Sequence, residues 1–114
     1  MSRDPGLYLQ DIADACRKVQ LLIQGMELPD FSDDWRTRDA VLHNLEVIGE
    51  AVKRVPAELK TPFPGIPWKS ISGFRDVLAH TYFSIDDSII WDVSCNQMAT
   101  LLEAVTQMLE RLDS

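Results

Sequence analysis

The sequence is short of cysteine, of basic residues and of long apolar runs, and each shortage excludes a class of protein. Only two of its 114 residues are cysteines, and they form no metal-type spacing, so we expect two small buried side chains in a reducing cytosol. Eleven lysines and arginines face 18 acids, a formal net charge of −7 that argues against binding nucleic acid through a broadly basic surface. Neither a membrane span of about 18 apolar residues nor an apolar signal segment is present, so we expect a cytoplasmic protein.

The acidic excess is unevenly distributed along the chain. Residues 31–80 hold seven basic and seven acidic side chains, whereas residues 81–114 hold only Arg111 against six acids. The middle of the chain is therefore neutral and contains most of the positive charge. The overall acidity limits non-specific affinity for nucleic acid, but it leaves room for a local cation that grips one or two phosphates.

Apolar residues recur at steps of three and four over most of the chain, and no stretch alternates long enough to predict a strand. This pattern predicts an all-α fold, a four-helix up-and-down bundle that forms a single domain over residues 1–114. The expected helices run from Asp4-Pro5 to about Gly25, from Asp33 or Asp34 to Pro56, from Pro67-Trp68 through Leu78, and from a Ser84 cap with Asp87 three residues on to Leu112.

The last of these helices has an apolar surface wider than one packing seam needs. Cys95, Leu102 and Leu109 flank its main apolar stripe. A homodimer would use this surplus, and a wider core stripe explains it equally well.

Residues 72–87, SGFRDVLAHTYFSIDD, bring together the side chains with the most chemical use. Arg75 is a permanent cation whose planar fork suits phosphate, His80 belongs to the residue type that exchanges protons near neutral pH, and Tyr82 supplies a hydroxyl. On an ideal helix, Arg75 and His80 are rotated apart by about 140°. The two side chains therefore meet only if the helix unwinds around Ala79-His80 or if two chains assemble the site. The alternative role for both is to complement the helix end.

The stretch RDVLAHTY, residues 75–82, resembles the motif of the HepT-like ribonucleases, a branch of the HEPN helical-domain superfamily. In that motif an arginine is followed by four residues, a histidine, any residue and a tyrosine. Residues 38–51 resemble the second-helix signature of the family, residues 68–75 its third-helix entry, and residues 82–91 the start of its fourth helix. The similarity is collinear over most of the chain.

The resemblance implies an HEPN-like homodimer in which the Arg-His motifs of two chains face each other. It also implies a metal-independent endoribonuclease, with no cofactor, that acts as the toxin of a type VII toxin-antitoxin pair. The implied partner is a minimal nucleotidyltransferase antitoxin similar to MntA. That partner inactivates the toxin by transferring AMP to the motif tyrosine, which is Tyr82 here.

By this resemblance Arg75 and His80 are the catalytic residues, and RNA is the substrate. His80 would take the proton from a ribose 2′-OH, Arg75 would hold the phosphate, and a second His80 would protonate the leaving oxygen. Asp76 stands where the family often has asparagine, so its supporting role stays open. Tyr82 has a structural alternative, which is half-buried packing against a neighbouring phenylalanine.

A second function from another class is a non-catalytic helical module that binds a nucleotidyltransferase and is modified by it. It shares the fold and the partner with the toxin and differs in whether Arg75 and His80 cut RNA.

Other polar and aromatic residues are given structural interpretations. His43, Glu46 and Glu50 share one helix face, where we expect a polar strip rather than a metal site, with Glu50 able to pair with Arg54; contact of the two glutamates with the active groove stays open. We expect the three tryptophans, Trp35, Trp68 and Trp91, to be core or interface anchors. Five basic side chains are expected to be scattered surface charges or RNA-backbone contacts: Arg36, Arg38, Lys53, Arg54 and Lys69.

Overall fold

Helices account for most of the chain in the computed structural model, which describes residues 4–81 and 84–113. The described residues form seven helices: α1 (Pro5–Ile23), α2 (Leu28–Asp33), α3 (Trp35–Arg54), α4 (Ala57–Lys60), α5 (Trp68–Thr81), α6 (Asp87–Asn96) and α7 (Met98–Leu112). The predicted all-α class is confirmed. None of the helices in these two ranges combines the length and the apolar character that a membrane span requires.

Aspartate side chains set the starts of three helices. The carboxylate of Asp4 accepts from the backbone N–H of Gly6 at 2.8 Å, and that of Asp34 accepts from Thr37 N–H at 3.1 Å. Proline follows Asp4 at the first helical position, where its missing N–H costs no hydrogen bond. Gly25, at φ 78°, ends the first helical segment in a left-handed conformation that suits glycine. The first three predicted helices therefore begin and end close to where the sequence indicated.

The fourth predicted helix is wrong in two respects. It starts at Asp87, because Asp86 rather than Ser84 provides the cap by accepting from Ser88 N–H at 2.8 Å. It is also divided at Gln97, whose φ of −112° and ψ of −21° separate α6 from α7. The apolar period cannot reveal this division, because the apolar positions keep their spacing across it.

Two short helices lie where the sequence predicted connections. In α2 the side chain of Asp30 accepts from the backbone N–H of Glu27 at 2.9 Å, which closes a capping box, and Phe31 is completely buried. Phe31 packs on Trp91 of α6, with ring centroids 5.4 Å apart. The short α4 lies within the proline-rich connection.

The core forms where α1 packs against α3 and α7, and α3 packs in turn against α5. Its largest completely buried side chains come from five of the helices and include Phe31 of α2, Leu9 and Ile12 of α1, Leu42 of α3, Leu78 of α5 and Ile90 of α6. Counting α6 and α7 as one divided helix, four main helices surround this core, as the sequence predicted. The packing of α5 on α3 positions the motif residues from Arg75 to His80.

Gly49 allows α5 to approach α3 closely. A Cβ atom added at Gly49 would lie 2.5 Å from the Cβ of Arg75 and 3.2 Å from the carbonyl oxygen of Ile71. Carbon atoms that are not bonded to each other do not approach to 2.5 Å, so only glycine fits the present separation of α3 and α5. The backbone of α5 is thereby fixed against α3 at the level of Arg75.

Arg38 binds the segment around Ile85 and Asp87, which follows the motif. Its Nε donates to Asp87 Oδ1, and its Nη2 donates to the carbonyl oxygen of Ile85 at 3.4 Å. The Arg38 side chain is only 17% exposed, so this arginine has a structural role and is not a freely exposed RNA contact.

The cysteine expectation is wrong for one of the two residues. Cys16 is buried, and burial raises the pKa of its thiol to about 12, but Cys95 is exposed on α6. Trp68 and Trp91 pack against the core, as expected. Trp35 is not a core anchor, because it is 66% exposed at the start of α3 with the Arg36 guanidinium above its ring; its role as an interface anchor stays a prediction.

Candidate active site

Arg75, Asp76 and His80 all lie on α5, which continues without interruption through Thr81. The helix therefore does not unwind between Arg75 and His80, and about 140° of rotation separates the two side chains around its axis. His80 is exposed, whereas Arg75 lies partly against α3 with 41% of its side chain exposed. Of the two predicted ways to bring Arg75 and His80 together, unwinding of the helix does not occur.

The guanidinium of Arg75 lies between two carboxylates. Its Nε is 3.5 Å from Glu50 Oε2, and its Nη1 donates to Asp76 Oδ1 at 3.4 Å. Glu50 is also held from the other side, because its Oε1 accepts from Arg54 Nε at 3.2 Å and from Arg54 Nη2 at 3.0 Å. The predicted pairing of Glu50 with Arg54 is confirmed, and Glu50 contacts the motif arginine as well.

A surface cleft of about 460 Å³ opens beside Arg75 between α1, α3 and α5. Its polar lining residues are Tyr8, Asp11, His43, Glu46, Glu50, Arg54 and Arg75. Both glutamates whose contact with the groove the sequence left open thus lie in one cleft with the motif arginine. Sequence reasoning missed Tyr8 and Asp11, which come from α1 and carry no motif. Three carboxylates among these residues make the cleft a poor track for a phosphate backbone.

The outward face of α5 has a different character. Asp76, Val77 and His80 are all exposed, and Val77 keeps 48% of its surface accessible. Positions three and four apart share a helix face, so Val77 and Asp76 lie beside His80. Val77 is therefore an exposed apolar side chain beside the histidine that the sequence predicts to be catalytic.

Tyr82 lies outside the described residues, as does Phe83. The chain is described again from Ser84, and the Arg38 contacts hold Ile85 and Asp87 against α3. The role of Tyr82 therefore stays a prediction.

The part of the chain that the structure describes brings no three His, Cys, Asp or Glu side chains together in a way that would hold a metal ion. His43, Glu46 and Glu50 share a helix face without forming such a group.

Comparison with known proteins identifies the family. Residues 12–108 match the sequence model of the HepT-like ribonucleases. This chain belongs to the HepT-like ribonuclease family. No solved structure gives a significant match.

Curated relatives of this HepT-like chain include a "Probable ribonuclease HepT" of Thermococcus cleftensis, 38% identical over 80% of this chain and 83% of the relative. A "Putative RNase" of Caldanaerobacter subterraneus is 34% identical, with 96% of this chain and 97% of the relative covered. A "Putative RNase" of Methanocaldococcus jannaschii is 32% identical over 97% of this chain and 92% of the relative.

Proposed function

We propose that this chain, a single HepT-like domain over residues 1–114, is a cytoplasmic endoribonuclease whose active site is completed by a second copy. Membership of a ribonuclease family supports RNA as the substrate. The observation that carries the two-chain site is the continuity of α5, which keeps Arg75 and His80 of one chain on different faces. Pairing the α5 helices of two chains would bring two Arg75 and two His80 side chains to one groove.

The exposed face of α5 supports this pairing. Val77 is an apolar side chain beside His80, and covering it in a dimer removes apolar surface from water. The Gly49 contact fixes α5 against α3, so the partner meets a rigid helix. Rigidity of α5 matters because catalytic groups act efficiently only when they are held in the productive geometry.

The chemistry proposed for this groove needs no metal. One His80 takes the proton of the ribose 2′-OH, and the 2′ oxygen attacks the adjacent phosphorus. The bond from phosphorus to the 5′ oxygen breaks, the second His80 protonates that oxygen, and a cyclic 2′,3′-phosphate remains. Arg75 stabilises the negative charge that develops on the phosphate oxygens. DNA lacks the 2′-OH and is therefore not cut.

RNA cleavage by the purified chain tests this function. The wild-type protein is expected to cleave RNA in the presence of a chelator, and Arg75→Ala and His80→Ala are each expected to abolish cleavage while the protein stays folded. An RNA whose 2′-OH groups are methylated serves as the substrate control. Full cleavage by either variant would contradict the mechanism. Absence of cleavage by the wild-type protein would favour the non-catalytic module.

We further propose that the ribonuclease is a toxin controlled by a minimal nucleotidyltransferase antitoxin, which transfers AMP to Tyr82. The motif tyrosine, two residues after His80, supports this assignment. An AMP group two residues from His80 would add a negative phosphate and a bulky base, and both would oppose binding of an RNA backbone.

Incubation with the partner and ATP tests the modification. One adenylyl group is expected on the wild-type chain and none on Tyr82→Phe, by mass spectrometry. The modified chain should lose RNA cleavage. An unchanged mass would leave Tyr82 with a packing role alone.

A further inference from the structure

The contact between Arg75 and Glu50 joins the motif to a different helix. Glu50 Oε2 lies 3.5 Å from the Nε of Arg75, and Glu50 stands next to Gly49, where α5 approaches α3 most closely. Asp76 also contacts the guanidinium, but it is the adjacent residue on the same helix and its side chain is 58% exposed. Glu50 is therefore the carboxylate that ties the arginine to the body of the protein.

We propose that Glu50 is a positioning residue for Arg75, held in turn by Arg54. This proposal rests on the proposed ribonuclease function for its kinetic consequence, but the contact itself can be tested without RNA. A carboxylate 3.5 Å from Nε attracts the guanidinium and restrains where its fork lies. Asp76 holds Nη1, so the restrained fork would present Nη2 to an anion.

Arg54 restrains Glu50 from the opposite side. Two hydrogen bonds, of 3.0 and 3.2 Å, join the Arg54 guanidinium to Glu50 Oε1, so the second oxygen of the same carboxylate stays available to Arg75. Arg54 and Glu50 are one helical turn apart on α3, a spacing at which opposite charges attract. The three side chains form a row that runs from α3 to the motif helix.

The role of Glu50 is distinguishable from simple charge repulsion. A carboxylate near the RNA phosphate weakens substrate binding through its charge, so its removal alone would lower KM and leave kcat unchanged or higher. A positioning carboxylate acts on the transition state, so its removal lowers kcat. The two roles therefore predict different changes in kcat, which are a fall for positioning and no change or a rise for charge repulsion.

Nuclear magnetic resonance tests the contact directly. In wild-type protein the Arg75 Nε–H signal is expected to be shifted and protected from exchange with water, and both properties should be lost in Glu50→Gln. Glu46→Gln is the matched control, because Glu46 lies one turn earlier on α3 and lines the same cleft. An unchanged Arg75 signal in Glu50→Gln would overturn the proposal.

Single-turnover and steady-state RNA cleavage test the consequence. Glu50→Gln is expected to lower kcat by about 10- to 100-fold, as for a misplaced catalytic group, with KM unchanged or lower. Glu50→Asp, which keeps the charge, should recover part of kcat, and Glu58→Gln, on α4 outside the cleft, should match the wild type. A kcat that stays at the wild-type value while KM falls would overturn the positioning role. If Arg75→Ala cleaves as fast as the wild type, the ribonuclease proposal fails, and the resonance experiment still decides the contact.

Discussion

Arg75 and His80, two motif residues on α5, differ in how closely the rest of the chain surrounds them. At Arg75, α5 meets α3 with no room for a side chain at Gly49, and Glu50 contacts the guanidinium. At His80 the side chain is exposed, and its neighbours on the helix face, Asp76 and Val77, are exposed as well. One end is thus prepared within the single chain, and the other faces outward. This difference is consistent with the proposed two-chain site, in which Arg75 is positioned within one chain and His80 meets the partner.

The largest expected effect separates two adjacent residues of α5, Leu78 and Val77. Leu78 is completely buried, whereas Val77 is 48% exposed. Leu78→Ala is expected to lower the free energy of unfolding by about 2–5 kcal/mol, because it leaves a cavity in the core. Val77→Ala should change it by less than about 0.5 kcal/mol. Urea denaturation of a dilute sample measures both, and equal losses would contradict the assigned faces of α5.

Gly49→Ala is expected to disturb the firmly held end. Alanine favours a helix over glycine by about 1 kcal/mol, but the added methyl group would collide with α5, so we expect a net loss of about 1–2 kcal/mol. RNA cleavage should also fall, because α5 must shift at Arg75. Gly73→Ala is the control, since a Cβ there meets nothing within 4 Å, and it should stabilise the protein. A stabilised and fully active Gly49→Ala would show that the two helices separate freely.

Val77→Asp probes the outward end of the motif. We expect it to weaken the homodimer and reduce cleavage, while the dilute chain keeps its free energy of unfolding within about 0.5 kcal/mol. Analytical ultracentrifugation gives the dimer dissociation constant. Leu21→Asp is the control, because Leu21 is 70% exposed on α1, away from α5. An unchanged dimer dissociation constant in Val77→Asp would show that the partner does not bind this face of α5.

The smallest expected effect concerns the cap that begins α6 after the motif. Hydrogen bonds from the Ser88 backbone and hydroxyl lower the pKa of Asp86 below its usual 3.8. A lowered folded-state pKa means that the stabilisation is complete above the unfolded pKa and is lost as the pH falls through the folded one. Asp86→Asn keeps an acceptor at the cap without titrating, so its acid unfolding curve should lose this small dependence. Identical acid dependence in both proteins would contradict the cap's role.

Sequence patterns predicted the features that depend on residues close together in the chain. The helical periods predicted the all-α fold, and the four-residue spacing predicted the pair of Glu50 with Arg54. The contact of Glu50 with Arg75 could not be predicted, because it depends on how α3 and α5 cross at Gly49. Division of the last helix at Gln97 was likewise hidden, because the apolar period continues across it. Cys95 was wrongly predicted to be buried, because it lies on the flank of the apolar stripe and the period does not show how far the core extends there.

The continuity of α5 has a consequence for dosage. If one chain holds Arg75 and His80 on different faces, an isolated copy has no complete site. At concentrations well below the dimer dissociation constant, active sites then accumulate with the square of the number of chains. If the chain is the toxin proposed above, a few copies would then have almost no effect on the cell, and toxicity would begin only above a threshold concentration.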